Sequence, residues 1–165
     1  MTHKDIIDYF QSLNANFTAF PEKSFFRMDL DEIMGSFKSG INFPAMVVES
    51  PEGDAEGSSL SNSAIGINFI FTIYQRPVQD DFASQNEMLD ECERLGRKII
   101  SRMRYDARNP AHLIYNKFKV SSMKWIKEGP IFNEGLYGYQ FSGRFEGDEL
   151  PKVDAADWED IDLTC

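Results

Sequence analysis

Cysteine and histidine are scarce in this chain, with two of each among 165 residues. A disulfide framework needs more than Cys92 and Cys165, so a reducing compartment is the simpler reading. A zinc site needs grouped ligands, and neither His3 nor His112 has a partner at ligand spacing. No Gly-x-Ser-x-Gly nucleophile elbow occurs. No phosphate loop occurs either: Gly53 and Gly57 stand among Glu52, Asp54 and Glu56, which repel phosphate. No apolar run approaches membrane-spanning length, and the N-terminus lacks the apolar core of a signal peptide. Basic residues number 17 against 27 acidic ones, for a net charge of -10. A chain of that balance repels phosphate backbones and anionic membranes. Its one basic stretch, Arg94, Arg97, Lys98, Arg102 and Arg104, is interleaved with Ile99, Ile100 and Met103. That is the outer face of an amphipathic helix, with no aromatic platform for bases beside it. The absences argue against an enzyme, a cofactor, a metal, a specific nucleic acid or a membrane. Surfaces remain as the means of function.

What is present is enough for a folded core. Hydrophobic residues make up 42% of the chain, too many for a disordered one. Fourteen phenylalanines favour a sheet, because aromatic side chains sit well on pleated surfaces. The length fits a single domain.

Thr2 to Asp5 is a helix-start pattern, and Ile6, Phe10, Leu13 and Phe17 follow at helical spacing. The first helix is expected over about residues 3 to 15. A short strand is expected over Ser24 to Asp29 and a short helix over Leu30 to Phe37. Asp29, Asp31 and Glu32 then read as caps and dipole partners of that helix. Phe43 to Glu49 reads as a strand with Pro44 at its start. Residues 51 to 63, rich in glycine, serine and acid, read as a long mobile hairpin loop.

Ala64 to Tyr74 is the clearest strand. Ile65, Ile67, Phe69, Phe71 and Ile73 alternate onto one face. The other face, Gly66, Asn68, Ile70, Thr72 and Tyr74, is semi-apolar and suits water or another subunit. The longest helix is expected over about 82 to 105, with Met88, Leu89, Cys92, Leu95, Gly96, Ile99, Ile100 and Met103 as its apolar stripe. Its cap is either Ser84, in a capping box with Glu87, or one of Asp80 and Asp81. Phe118 to Ile126 reads as a strand with a bulge near Ser121 and Ser122, Gly129-Pro130 as a turn, and Leu136 to Phe145 as the last strand. The fold class is therefore α+β: an antiparallel or mixed sheet of about four to five strands, with one long and one or two shorter helices packed on it. Residues 1 to 147 form one domain. Residues 148 to 165 form an acidic tail, solvated or docking through Trp158 and Leu163.

Four stretches carry a resemblance. They are Ile41 to Ser50 with the loop after it, Ser61-Asn62-Ser63 opening the strand, Leu95 to Ile100 in the long helix, and Gly129 to Tyr139. With the order of elements around them, they resemble the tail-terminator or tail-completion proteins of phage and prophage necks. The resemblance spans most of residues 1 to 147. It implies a virion structural protein, assembled in the host bacterial cytoplasm, that caps the tail tube and joins tail to head as an oligomeric, hexameric ring. It also implies tail-tube and head-connector proteins as partners and no catalytic residues. A head-completion or connector protein and a standalone intracellular protein-binding module are the competing readings. Large aromatics tend to carry interface energy, so Tyr74, Trp125, Tyr137, Tyr139 and Trp158 are the candidate interface residues.

Overall fold

The computed structural model describes residues 1–27, 40–59, 62–78, 81–131, 135–149, 154, 157 and 158. The first helix, α1, spans His3–Asn16. The Thr2 side chain accepts from the Asp5 N–H at 3.2 Å, and the Asp5 carboxylate accepts from the Thr2 N–H at 2.7 Å. This reciprocal cap satisfies two N–H groups that the first turn leaves without helical partners. Ile6, Phe10 and Leu13 are buried, as their spacing predicts.

Strand β1 is Phe25–Arg27, β2 is Ala45–Val48, β3 is Glu52–Ser59 and β4 is Asn62–Gln75. The second helix, α2, is Phe82–Asp106, followed by β5 at Lys124–Ile131 and β6 at Leu136–Glu149. The class is mixed α+β. Among the described residues the sheet is mixed and has six strands, in the order β1-β2-β4-β6-β5, with β3 also on β4. Among the described residues only β1 and β2 run parallel. The expected short helix over Leu30 to Phe37, with Asp29, Asp31 and Glu32, lies outside the described residues.

The sixth strand corrects the loop reading of residues 51 to 63. Strands β2 and β3 lie end to end along one side of β4. β2 pairs with Phe71 to Tyr74, the Glu49 N–H bonds the Ile70 carbonyl at 3.0 Å, and β3 pairs with Asn62 to Asn68. The other side of β4 pairs with β6 from Ala64 to Gln75. Glu52, Gly53, Asp54 and Ala55 are exposed, so no apolar alternation marks this strand.

Three further boundaries differ from expectation. Between Phe118, which forms a lone bridge to Phe145, and β5, the change of phase is made by a 3-10 turn at Val120–Ser122 and not by a bulge. The Ser122 Oγ donates to the Lys119 carbonyl at 2.7 Å and closes that turn. Gly129-Pro130 does not end the strand. It falls inside β5 as an irregularity, with a register shift between Glu128 and Ile131 and Gly129 at φ +108°. Strand β6 also runs on to Glu149, into the stretch expected to be tail.

Helix α2 starts at Asp81, whose carboxylate accepts from the N–H groups of Ala83 and Ser84 at 3.0 and 3.2 Å. Its stripe of Leu89, Cys92, Leu95, Gly96, Ile99 and Met103 is buried. Both helices pack on the face of the sheet that carries Ile67, Phe69, Phe71 and Ile73 of β4 and Phe141 and Phe145 of β6. The phenylalanines form a continuous layer there. Phe71 and Phe141, direct partners in the ladder, stack at 5.0 Å, and Phe69 and Phe145 lie 4.6 Å apart. Each buried ring contributes about 1.5–3 kcal/mol from burial alone. The opposite face has a smaller cluster, Val47, Tyr74 and Leu136, with Phe26 and Phe43 packed against it.

Candidate interaction surface

The five candidate interface residues do not form one patch. Tyr74 is buried at 7% exposure in the smaller cluster, on the face away from the helices. Burial and the carboxylates of Glu128 and Glu49 push its phenol up to about 12, against an opposing hydrogen bond with Thr72. Tyr74 is therefore a packing residue in this structure.

Trp125, Tyr137 and Tyr139 stand together on the helix-facing side of β5 and β6. Trp125 lies opposite Phe141 in the ladder, and its ring stacks on Phe141 at 6.3 Å. It remains 42% exposed, and its indole N–H donates to Glu93 of α2 at 3.2 Å. Tyr139 is half-buried against the core. Burial, then the carboxylates of Glu93 and Asp90, raise its phenol above the ordinary value. Tyr137 is half-buried, with the Lys127 ammonium 5.7 Å over its ring. Trp158 is 58% exposed.

Strand β5 presents an edge. Among the described residues it pairs only with β6, and Lys124, Trp125, Ile126 and Lys127 are all exposed in succession. An edge strand offers a row of N–H and C=O groups to a further strand, and lysines are a common guard against indiscriminate pairing. Ile126, with Trp125 on the other face of the same strand, adds apolar area to that edge. Sequence reasoning missed Ile126, because a single isoleucine in an alternating run carries no mark of exposure.

Two polar clusters also escaped the sequence. On the face away from the helices, Arg144 of β6 holds Asp54 of β3 with two hydrogen bonds and lies 3.3 Å from the side-chain oxygens of Asn68 and Glu146. Glu146 in turn pairs with Lys119 at 2.7 Å. On the same face Glu49 accepts a long hydrogen bond from Gln140 at 3.4 Å, and burial, then Glu128 and Glu52, raise its carboxyl above the usual range.

The second cluster joins α1 to the end of α2. Asp106, only 2% exposed, accepts from the Tyr9 hydroxyl at 2.9 Å and from the Arg102 Nε at 2.8 Å. The His112 Nε2 lies 3.8 Å from the same carboxylate, and its ring meets Tyr9 edge-on at 5.3 Å. Both Asp106 oxygens are engaged, so this carboxylate is a tie between elements and is poorly placed to act as a base. Burial pushes the Cys92 thiol up to about 12, far from the range of a reactive thiolate. Among the described residues no group of three histidine, cysteine or acidic side chains is arranged to hold a metal ion. Nor is any helix among them long and apolar enough to cross a membrane. No protein-family model matches the chain, and no curated protein matches it.

Proposed function

We propose that this chain is a ring-forming virion structural protein of the tail-terminator kind, capping a phage tail tube and joining it to the head. The observation that carries the reading is the exposed edge of β5, with Trp125 and Ile126 on its two faces and Lys124 and Lys127 beside them. A closed ring of identical subunits needs two different complementary patches on each copy, repeated around an axis. An open strand edge flanked by large apolar side chains serves as one such patch. The sheet supports the reading further. Its described helices lie on one face only, and the other is part apolar and part charged. The sequence resemblance to neck proteins supplies the choice of a phage neck over other assemblies.

Electron microscopy of the purified protein, alone and mixed with tail tubes, tests the reading. Rings with a central opening, seated on tube ends, are the expected result. Tubes whose ends stay bare, with the protein left as single subunits, would overturn it.

A further inference from the structure

A cleft opens where the last turn of α1 meets the middle of α2. Leu13, Asn16, Phe17, Lys98, Ile99 and Arg102 line about 190 Å³ of space. Its floor is apolar: Leu13 and Ile99 belong to the core, and Phe17 packs against it. Its rim is cationic. Lys98 is exposed, and the Arg102 side chain is 53% exposed even with its Nε on Asp106. The space is below the roughly 300–1,000 Å³ of ordinary small-molecule sites. It suits one large side chain flanked by acidic groups.

The chain carries a segment of that chemistry. Asp154, Asp157, Glu159, Asp160 and Asp162 surround Trp158, with Leu163 beyond. Trp158 is largely exposed, so its own copy does not bury it.

We propose that the cleft receives the Trp158 segment of a second copy of this chain. The indole sits against Leu13, Phe17 and Ile99, and the neighbouring carboxylates meet Lys98 and Arg102. Two copies of so acidic a chain repel on average, and this contact brings opposite charges together where they would meet. A buried aromatic anchor with a charged rim is the usual layout of an interface hot spot. The inference rests on the assembly reading above for its setting, and it specifies one of the contacts between subunits.

The test uses the full-length protein and a fluorescent peptide of residues 150–165, with binding followed by anisotropy and assembly by light scattering. The peptide is expected to bind. Lys98→Glu in the protein, or Trp158→Ala in the peptide, is expected to weaken binding by about tenfold or more. Lys98 is exposed, and a circular dichroism spectrum matching the parent's is the check that the variant folds. A peptide that does not bind, or that binds both variants as well as the parent, overturns the inference. So does a Trp158 that is shielded from acrylamide in monomeric protein, because the tail would then occupy its own cleft. A ring that forms unchanged with Lys98→Glu sinks this contact and leaves the ring reading standing. Peptide binding by a chain that never assembles sinks the ring reading and leaves the contact.

Discussion

The guanidinium of Arg144 on β6 reaches across β4 and grips the Asp54 carboxylate on β3, with Nη1 to Oδ2 at 2.7 Å and Nη2 to Oδ1 at 2.6 Å. The planar fork of arginine matches a carboxylate in this two-bond geometry. Position 66 on β4, opposite Asp54 in the ladder, must be small for the side chain to lie flat. A Cβ at Gly66 would stand 1.8 Å from the Arg144 Nη2. One arginine thus ties three adjacent strands at the end of the sheet where β3 joins it.

A pH dependence follows from this pair. The hydrogen bonds from Arg144 hold the Asp54 carboxyl below its ordinary value of 3.8. The folded state therefore binds this proton less readily than the unfolded chain does. The stabilisation is fully present above the unfolded value and is lost as the pH falls through the lower, folded one. Melting temperatures of the parent and of Asp54→Asn should differ at neutral pH and converge as the pH drops below about 3.8. Gly66→Ala should raise the Asp54 titration point toward the ordinary one, read by NMR of the side-chain carboxyl. An unmoved titration would show that Arg144 keeps its grip from another position.

Gly96 makes a second prediction, in which two effects oppose. In an exposed helix interior, alanine is better than glycine by about 1 kcal/mol. Gly96 faces the Phe141 ring instead, and a Cβ there would lie 2.0 Å from its Cζ. Overpacking of a filled core costs about 1–3 kcal/mol, and Phe141 is wholly buried between the sheet and α2. Gly96→Ala should therefore lower stability in urea unfolding. Phe141→Leu in the same chain should return part of the loss, which separates crowding from helix propensity.

Tyr9 carries a third. Its hydroxyl donates to Asp106 across 97 positions of sequence. Burial, then the Asp106 charge, hold its proton well above the usual phenol range. Tyr9→Phe removes a donor from a buried carboxylate, at a cost of about 1–3 kcal/mol. Denaturant midpoints measure that loss. In an alkaline absorbance titration the parent should show Tyr139, Tyr74 and Tyr9 ionising later than the ordinary phenol, and Tyr9→Phe should lack the last of these steps. Tyr74, with its own raised value of about 12, ionises before Tyr9.

How far these features were legible depends on what buried them. α1, α2 and β4 were readable because each buries one face, and burial writes its period into the residues: Ile6, Phe10 and Leu13, or Phe69, Phe71 and Ile73. β3 was not, because Glu52 to Ala55 stay exposed and its partner is chosen by backbone pairing along β4. The Arg144–Asp54 and Tyr9–Asp106 ties depend on register and packing between distant segments, which no local pattern encodes. Tyr74 shows the limit of reasoning from residue type. An aromatic suited to an interface is equally suited to a core, and the position beside Val47 and Leu136 made it core. Trp125 remained at the surface because its strand is the last of the sheet.

The most direct measurement of the central claim is the solution mass by light scattering over a concentration series, for the parent and for Ile126→Glu. Ile126 is 56% exposed on the β5 edge, so a charge there should leave the subunit folded. A discrete closed-ring mass, near that of a hexamer, is expected for the parent and a single-chain mass for the variant. A parent that stays a single chain at every concentration, or a ring indifferent to the charge at Ile126, would contradict the claim.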